Sequence, residues 1–397
     1  MQRKIRRLLT IAACATLLGG AADAVRAADS PSIYGTLVDV TAGILYANGV
    51  DGSTGAIYDI HDNPQWFAGG KNTLYIHGSG HLIAHDYTTS SITNGLLIAT
   101  GGSVTANNGT LTIAGNSFIR RDVTLSVLQD ATLAITGGEV LMNSGDTLDG
   151  KLTLSSGLLE FDDFNRNSST TSSITQTGGT MTITGKGMDF ASDKDSITGG
   201  TVNVGQNAAS GSLDVSHGYV SSGATVNIFE NSSLSVKGGN VTLDSGDTWR
   251  GDVSMSSGEL KLDGASKTYN GTYKQTSGDL LVTGDSFDLN NSADTISGGD
   301  VYIGDGSKTG TMSVTEGTVE SGALMNVGAG STLNVSGGNV SLDNKDIING
   351  NLKIDNGTFN LNNVEKSTSS SFIQNGGTTN VTGDSFTLNN TNDAINN

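Results

Sequence analysis

One cysteine, Cys14, and two prolines, Pro31 and Pro64, are all that 397 residues contain of either type. Cys14 lies in an apolar stretch near the N-terminus. A chain processed beyond it can form no disulfide, and its stability must come from packing. Past Pro64 every residue keeps its backbone N–H, as uninterrupted hydrogen-bonded ladders require. Aromatic residues make up 5% and hydrophobic residues 35%, a thin supply for one large globular core. Positive charge is scarce too: 21 Lys and Arg face 39 Asp and Glu, and no arginine follows Arg250. A net charge of −18 repels phosphate backbones and anionic lipid, which excludes nucleic-acid binding. No glycine-rich phosphate loop leads into a helix, and helical spacing of apolar residues fits no useful length of the chain.

Glycine, by contrast, occurs 56 times, and in register. GGEVLMNSGDTLDG (137–150), GGNVTLDSGDTWRG (238–251) and GGNVSLDNKDIING (337–350) mark a repeat of about one hundred residues. TGGTMTITGKGMDF (177–190), TSGDLLVTGDSFDL (276–289) and NGGTTNVTGDSFTL (375–388) keep the same register. A shorter period lies inside it. Glycine followed by alternating apolar residues recurs at 138, 157, 179, 200, 218, 239, 258, 278, 299, 317, 338, 357 and 377, at intervals of 18 to 22 residues. Runs such as Leu260-Lys261-Leu262 and Val301-Tyr302-Ile303 alternate at the period of a strand. Short strands broken by Gly, Ser, Asn and Asp in units of about 20 residues predict a β-solenoid, with five coils in each long repeat. Such a chain buries a few Val, Leu and Ile per coil against its neighbours. Disorder, the competing reading of an acidic Gly/Ser/Thr/Asn-rich chain, does not explain strict alternation of β-branched residues.

Three segments follow. Residues 1–27 read as a signal peptide: Arg3, Lys4, Arg6 and Arg7, an apolar run from Leu8 to Ala22, and cleavage after Val25-Arg26-Ala27 or, second, Ala22-Asp23-Ala24. The run is short for a membrane span, and it continues past Cys14, against a lipoprotein site. Removing residues 1–27 takes away five cations and one anion, moving the net charge from −18 to −22. Residues 28–66 hold both prolines, three of nine tyrosines and Trp66, and are expected to cap the solenoid, with a hairpin as one form. Residues 67–397 form the repeat region, which stops inside a repeat and is expected to continue beyond Asn397.

Candidate chemistry is sparse. His77, His81 and His85 recur every fourth residue, but along a strand neighbours stand about 13 Å apart, too far to share one metal. Tyr58, Trp66 and Phe67 form a candidate aromatic ligand patch. Asp162 and Asp163 are a candidate glycosidase-type carboxylate pair. Adjacent strand residues point to opposite faces, however, and the equivalents in later repeats are Asp263-Gly264 and Asn362-Asn363, as expected of a turn. Asp195, Asp294 and Asp393, with Asn290-Asn291 and Asn389-Asn390, suit turns in the same way. Stacked copies offer calcium a second reading, although the glycine- and aspartate-rich nonapeptide of calcium-binding β-rolls is missing. No catalytic residue, cofactor site or metal site is therefore assigned.

GGTVNV (199–204), the SGGNVTL and SGGNVSL phrases, the export-type start and the Pro- and Cys-poor composition resemble passenger regions of autotransporter adhesins and related surface β-helix proteins of Gram-negative bacteria, over residues from about 70 to 397. The resemblance implies a right-handed parallel β-helix displayed outside the cell. It implies work in adhesion, aggregation or biofilm contact, with a host or neighbouring-cell glycan or protein, or like rods, as partner. The translocating barrel of that family has no counterpart in these residues. The alternative is a β-helix polysaccharide lyase or hydrolase. Enzymes of that class acting on acidic sugars need clustered cations, and beyond residue 27 the chain has only Arg120, Arg121, Arg166 and Arg250 as arginines.

Overall fold

The computed structural model describes residues 32–34, 37–47, 58–59, 73–85, 96–99, 102–166, 171–206, 208–383 and 386–396. The expected signal peptide and most of the expected cap, including Trp66 and Phe67, lie outside these residues. Among the described residues there are strands, turns and bends but no helix. The chain divides into two compact units, Met1–Met181 and Thr182–Asn397, each a solenoid of parallel strands.

In the first unit, Ser32–Tyr34 pairs antiparallel with the start of Leu37–Ala47, and among the described residues the later strand pairings are parallel. Three ladders are visited in turn. One runs through 37–40, 73–76, 96–99, 118–119, 139–140 and 158–162. Another runs through 43–47, 80–84, 103–106, 124–127 and 147–148. The third runs through 109–113, 131–135, 151–154 and 173–176.

The second unit keeps this plan. Its first ladder holds 188–190, 212–215, 233–236, 252–255, 272–275, 295–296, 318–319, 339–342, 358–362 and 378–382. Its second ladder runs from 196–197 through 219–220, 240–244, 259–263, 279–283, 300–303 and 323–327 to 347–348. The third holds 200–204, 224–228 and 248–249, a bridge at Lys267, and then 287–289, 310–314, 332–335, 351–354, 372–374 and 394–395.

This cyclic order refines the expected five coils per long repeat. Between Ser233 and its repeat-mate Thr332 the chain takes fourteen ladder positions (233, 240, 248, 252, 259, 267, 272, 279, 287, 295, 300, 310, 318, 323). Three positions make a turn, so the repeat is four and two-thirds turns of about 21 residues. Ser233 therefore stands on the first ladder and Thr332 on the third. Val241, on the second, has its repeat-mate Val340 on the first.

The glycine marker moves with this rotation. Gly218, Gly239, Gly258, Gly278 and Gly299 sit one above another, each later one packed on the carbonyl of the one before. Gly317, 18 residues beyond Gly299, opens a new column at another corner, on which Gly338, Gly357 and Gly377 stack. The 18-residue interval is thus a change of corner, not a short turn. In the column, Gly258 has φ +81° and a Cβ there would lie 2.2 Å from the Gly239 carbonyl oxygen, so only glycine fits.

Alternation builds the core. Val220, Val241, Leu260, Leu280, Val301 and Met325 follow one another inward on the second ladder, each no more than 3% exposed. Each such side chain contributes roughly 1.5–3 kcal/mol by leaving water. Outward neighbours are polar, and asparagines stack in amide ladders: Asn227 Nδ2 donates to Asn203 Oδ1 at 2.9 Å and Asn380 Nδ2 to Asn360 Oδ1 at 2.9 Å. In the last described turn Val381, Leu388 and Ile395 are 50%, 45% and 56% exposed, whereas Val282, Leu289 and Ile296 one repeat earlier are fully buried under Ile303, Val314 and Val319.

Candidate functional site

The corners concentrate the polar chemistry. In Asn143-x-x-Asp146 the Asn143 side chain accepts from Gly145 N–H at 2.8 Å, closing an Asx turn. Asp146 then reaches both ways: Oδ2 accepts from Asn143 N–H at 2.7 Å, and Oδ1 accepts from Leu125 N–H, one turn earlier, at 2.7 Å. Asp244-x-x-Asp247 repeats this arrangement on Val226, Asp343-x-x-Asp346 on Met325, Asn291-x-x-Asp294 on Tyr273 and Asn390-x-x-Asp393 on Phe372. These carboxylates staple one turn to the next. Burial pushes Asp146, Asp247 and Asp346 up to about 6, against the N–H bonds that work downward.

Two of the staples carry a cation. Lys267 Nζ lies 2.7 Å from Asp294 Oδ2, both side chains fully buried, and it also donates to the Gly271 carbonyl at 3.1 Å and to Asn290 Oδ1. Lys366 repeats the set on Asp393 Oδ2 at 2.9 Å, the Ser370 carbonyl at 3.1 Å and Asn389 Oδ1 at 3.0 Å. Burial pushes the Asp294 carboxyl up. At Asp393 burial also works upward, but the N–H bonds and Lys366 outweigh it and the carboxyl falls below its ordinary value. Trp249, Tyr273 and Phe287 wall the first cluster with centroids 5.5–5.9 Å apart, and Phe372 and Phe386 stand 5.1 Å apart beside the second. Sequence reasoning overlooked Lys267 and Lys366, which look like ordinary loop cations. The readable signal was a cation at the same repeat position three times, as Arg166, Lys267 and Lys366.

The candidates read from the sequence fall as follows. His77, His81 and His85 lie on one strand, Thr73–His85, with His81 in register with Ser103 and His85 with Asn108. Tyr58 is on a two-residue strand paired with Leu45, apart from any described partner of the aromatic patch. Asp162 ends a strand and pairs with Arg121 at 2.5 Å. Asp163 has φ 53°, and its equivalents Gly264 and Asn363 have 74° and 56°. All three occupy the left-handed region that a tight turn needs, so this position serves the backbone. The oxygens of Asp294 and Asp393 are engaged by N–H groups and lysine, which supports the turn reading over calcium. No group of three or more His, Cys, Asp or Glu among the described residues is arranged to hold a metal.

On the outside of the second ladder Glu259, Asp279 and Asp300 occupy successive rungs. They line a shallow open depression floored by Gly258, Gly278 and Gly299. Like charges one rung apart repel by about 1 kcal/mol in water, so the row attracts counter-ions. Tyr302 stands beside it, its hydroxyl donating to Asp300 Oδ2 at 3.3 Å. Burial, Asp300 and Asp279 push its phenol up.

Comparison with protein-family models, with curated proteins and with solved structures returns no match.

Proposed function

We propose that the chain is the exported, surface-displayed part of a Gram-negative structural or adhesive protein, similar to autotransporter passengers. In this reading it makes contact with a host or neighbouring-cell glycan or protein, or with like chains. The observation that carries the reading is the even construction of the solenoid: successive turns bury equivalent apolar rows and present shallow polar outer surfaces. A β-solenoid suits a processing enzyme as well. Here, however, the surface cations near acidic groups are engaged: Arg120 with Glu139 at 3.9 Å, Arg121 with Asp162, Lys237 with Asp214 at 2.6 Å, Lys308 with Asp263 at 2.6 Å and Lys353 with Asp355 at 2.6 Å. Five cations are taken up in this way, and only four arginines, the residues that grip a carboxylate with two hydrogen bonds, follow residue 27.

The test is expression in a Gram-negative host with residues 1–27 in place and a translocating barrel joined after Asn397. The reading expects the chain on the cell surface, beginning at Ala28, with faster settling of the cells that carry it. Retention in the cytoplasm with an intact N-terminus would overturn it. New reducing ends from a polysaccharide panel would favour the enzyme instead.

A further inference from the structure

Lys267, Asn290 and Asp294 form a closed, water-excluded set: a primary amine, a carboxamide and a carboxyl group, with no exposed surface on the amine or the acid. The amine bonds the carboxamide oxygen, so the amide carbon is one covalent bond farther away, the separation from which addition starts. Burial pushes the Asp294 carboxyl up, which suits it to take a proton from the amine beside it. The set recurs whole as Lys366, Asn389 and Asp393.

The first repeat acts as an internal control. There the two reacting positions are Arg166 and Ala191, while the acid remains as Asp195. Amine and carboxamide are thus present together twice and replaced together once. A lysine kept only for its charge would have no need of the asparagine.

We infer that Lys267 joins Asn290, and Lys366 joins Asn389, through an intramolecular isopeptide bond that fastens one solenoid turn to the next. Asp294 Oδ2 takes a proton from the Lys267 ammonium, and the freed Nζ attacks Asn290 Cγ. The C–N bond forms as Cγ=O opens to a tetrahedral centre. Asp294 returns that proton to the amide nitrogen, which departs as ammonia while the carbonyl re-forms, and the attacking nitrogen's second proton passes through Asp294 to the ammonia, which leaves as ammonium and restores the carboxylate. Lysine ammonium and carboxamide become a secondary amide and ammonium, with no oxidant, reductant or further reactant. The bond supplies the covalent cross-link that a chain with cysteine only at position 14 cannot obtain from disulfides.

The test is mass spectrometry of a tryptic digest of the folded full chain. The expected result is a branched species in which 262–274 stays uncut after Lys267, is joined to 275–308, and is lighter by one ammonia, about 17 Da. Asn290→Ala and Lys267→Arg each abolish that species and leave the Lys366–Asn389 species in place. Recovery of all material as separate peptides, cut after Lys267 and carrying unmodified Asn290, overturns the inference without reference to any variant.

Discussion

Replacing Gly258 with alanine probes the stacking of turns directly. The added methyl would lie 2.2 Å from the Gly239 carbonyl oxygen and 2.9 Å from the Gly238 carbonyl carbon, at φ +81°. Relief demands a shift of about 1 Å between strands 233–244 and 252–263, which share ten register pairs. The left-handed backbone alone costs an alanine about 1–2 kcal/mol, and opening a packed rung adds about 1–3 kcal/mol. Gly306→Ala is the matched control. Its φ is +83° but nothing lies within 4 Å, so only the backbone term applies. Urea unfolding followed by circular dichroism, at a slope of about 2 kcal/mol/M, should lower the midpoint for Gly258→Ala by about 1–2.5 M and for Gly306→Ala by about 0.5–1 M. Equal losses in the two variants would refute the stacking argument.

The aspartate staples predict a stability that rises in mild acid. Asp146, Asp247 and Asp346 hold their proton up to about 6 when folded, and near 3.8 otherwise. Unfolding therefore releases protons between about pH 4 and 6, and stability falls as pH rises through that window, by about 1 kcal/mol per group after allowance for partial solvent screening. Thermal melts from pH 4 to 7 should show this, and Asp247→Asn should flatten the slope. Lys267→Met removes the buried partner of Asp294, together with the nitrogen of the inferred cross-link, and should cost at least about 3–5 kcal/mol, whereas Arg121→Ala, at the surface, should cost under about 1 kcal/mol; denaturant melts of both variants compare them. Asp163→Gly, at a position where the next repeat has Gly264, should change stability by no more than about 1 kcal/mol, and a larger loss in the same melts would point to a role beyond the turn.

Much of this architecture was legible because solenoids write themselves into one-dimensional periods. Val301-Tyr302-Ile303 alternates, and the structure buries Val301 and Ile303 and leaves Tyr302 facing out. The turn role of Asp163 was readable from its replacement by Gly264 and Asn363. The rotation of the long repeat was not. Glycine marks a corner, and a triangular turn has three, so equal spacing along the chain does not say which corner is marked. Only the 18-residue intervals before Gly218 and Gly317 hinted at the change. The buried lysines escaped for a related reason: Lys267 lies in a polar loop, and nothing local shows that Asp294, 27 residues later, comes to lie beside it.

The central claim is that chain positions far apart in sequence stand a few rungs apart in space. Thr242, Lys261, Leu281, Tyr302 and Asn326 face outward on consecutive rungs of one ladder. With Cys14 replaced by serine, spin labels on cysteines at 242 and 326 measure that separation by double electron–electron resonance. Four rungs place the two backbones about 19 Å apart, in one narrow distribution. A broad distribution, or one centred beyond about 35 Å, would contradict the stacked-turn architecture.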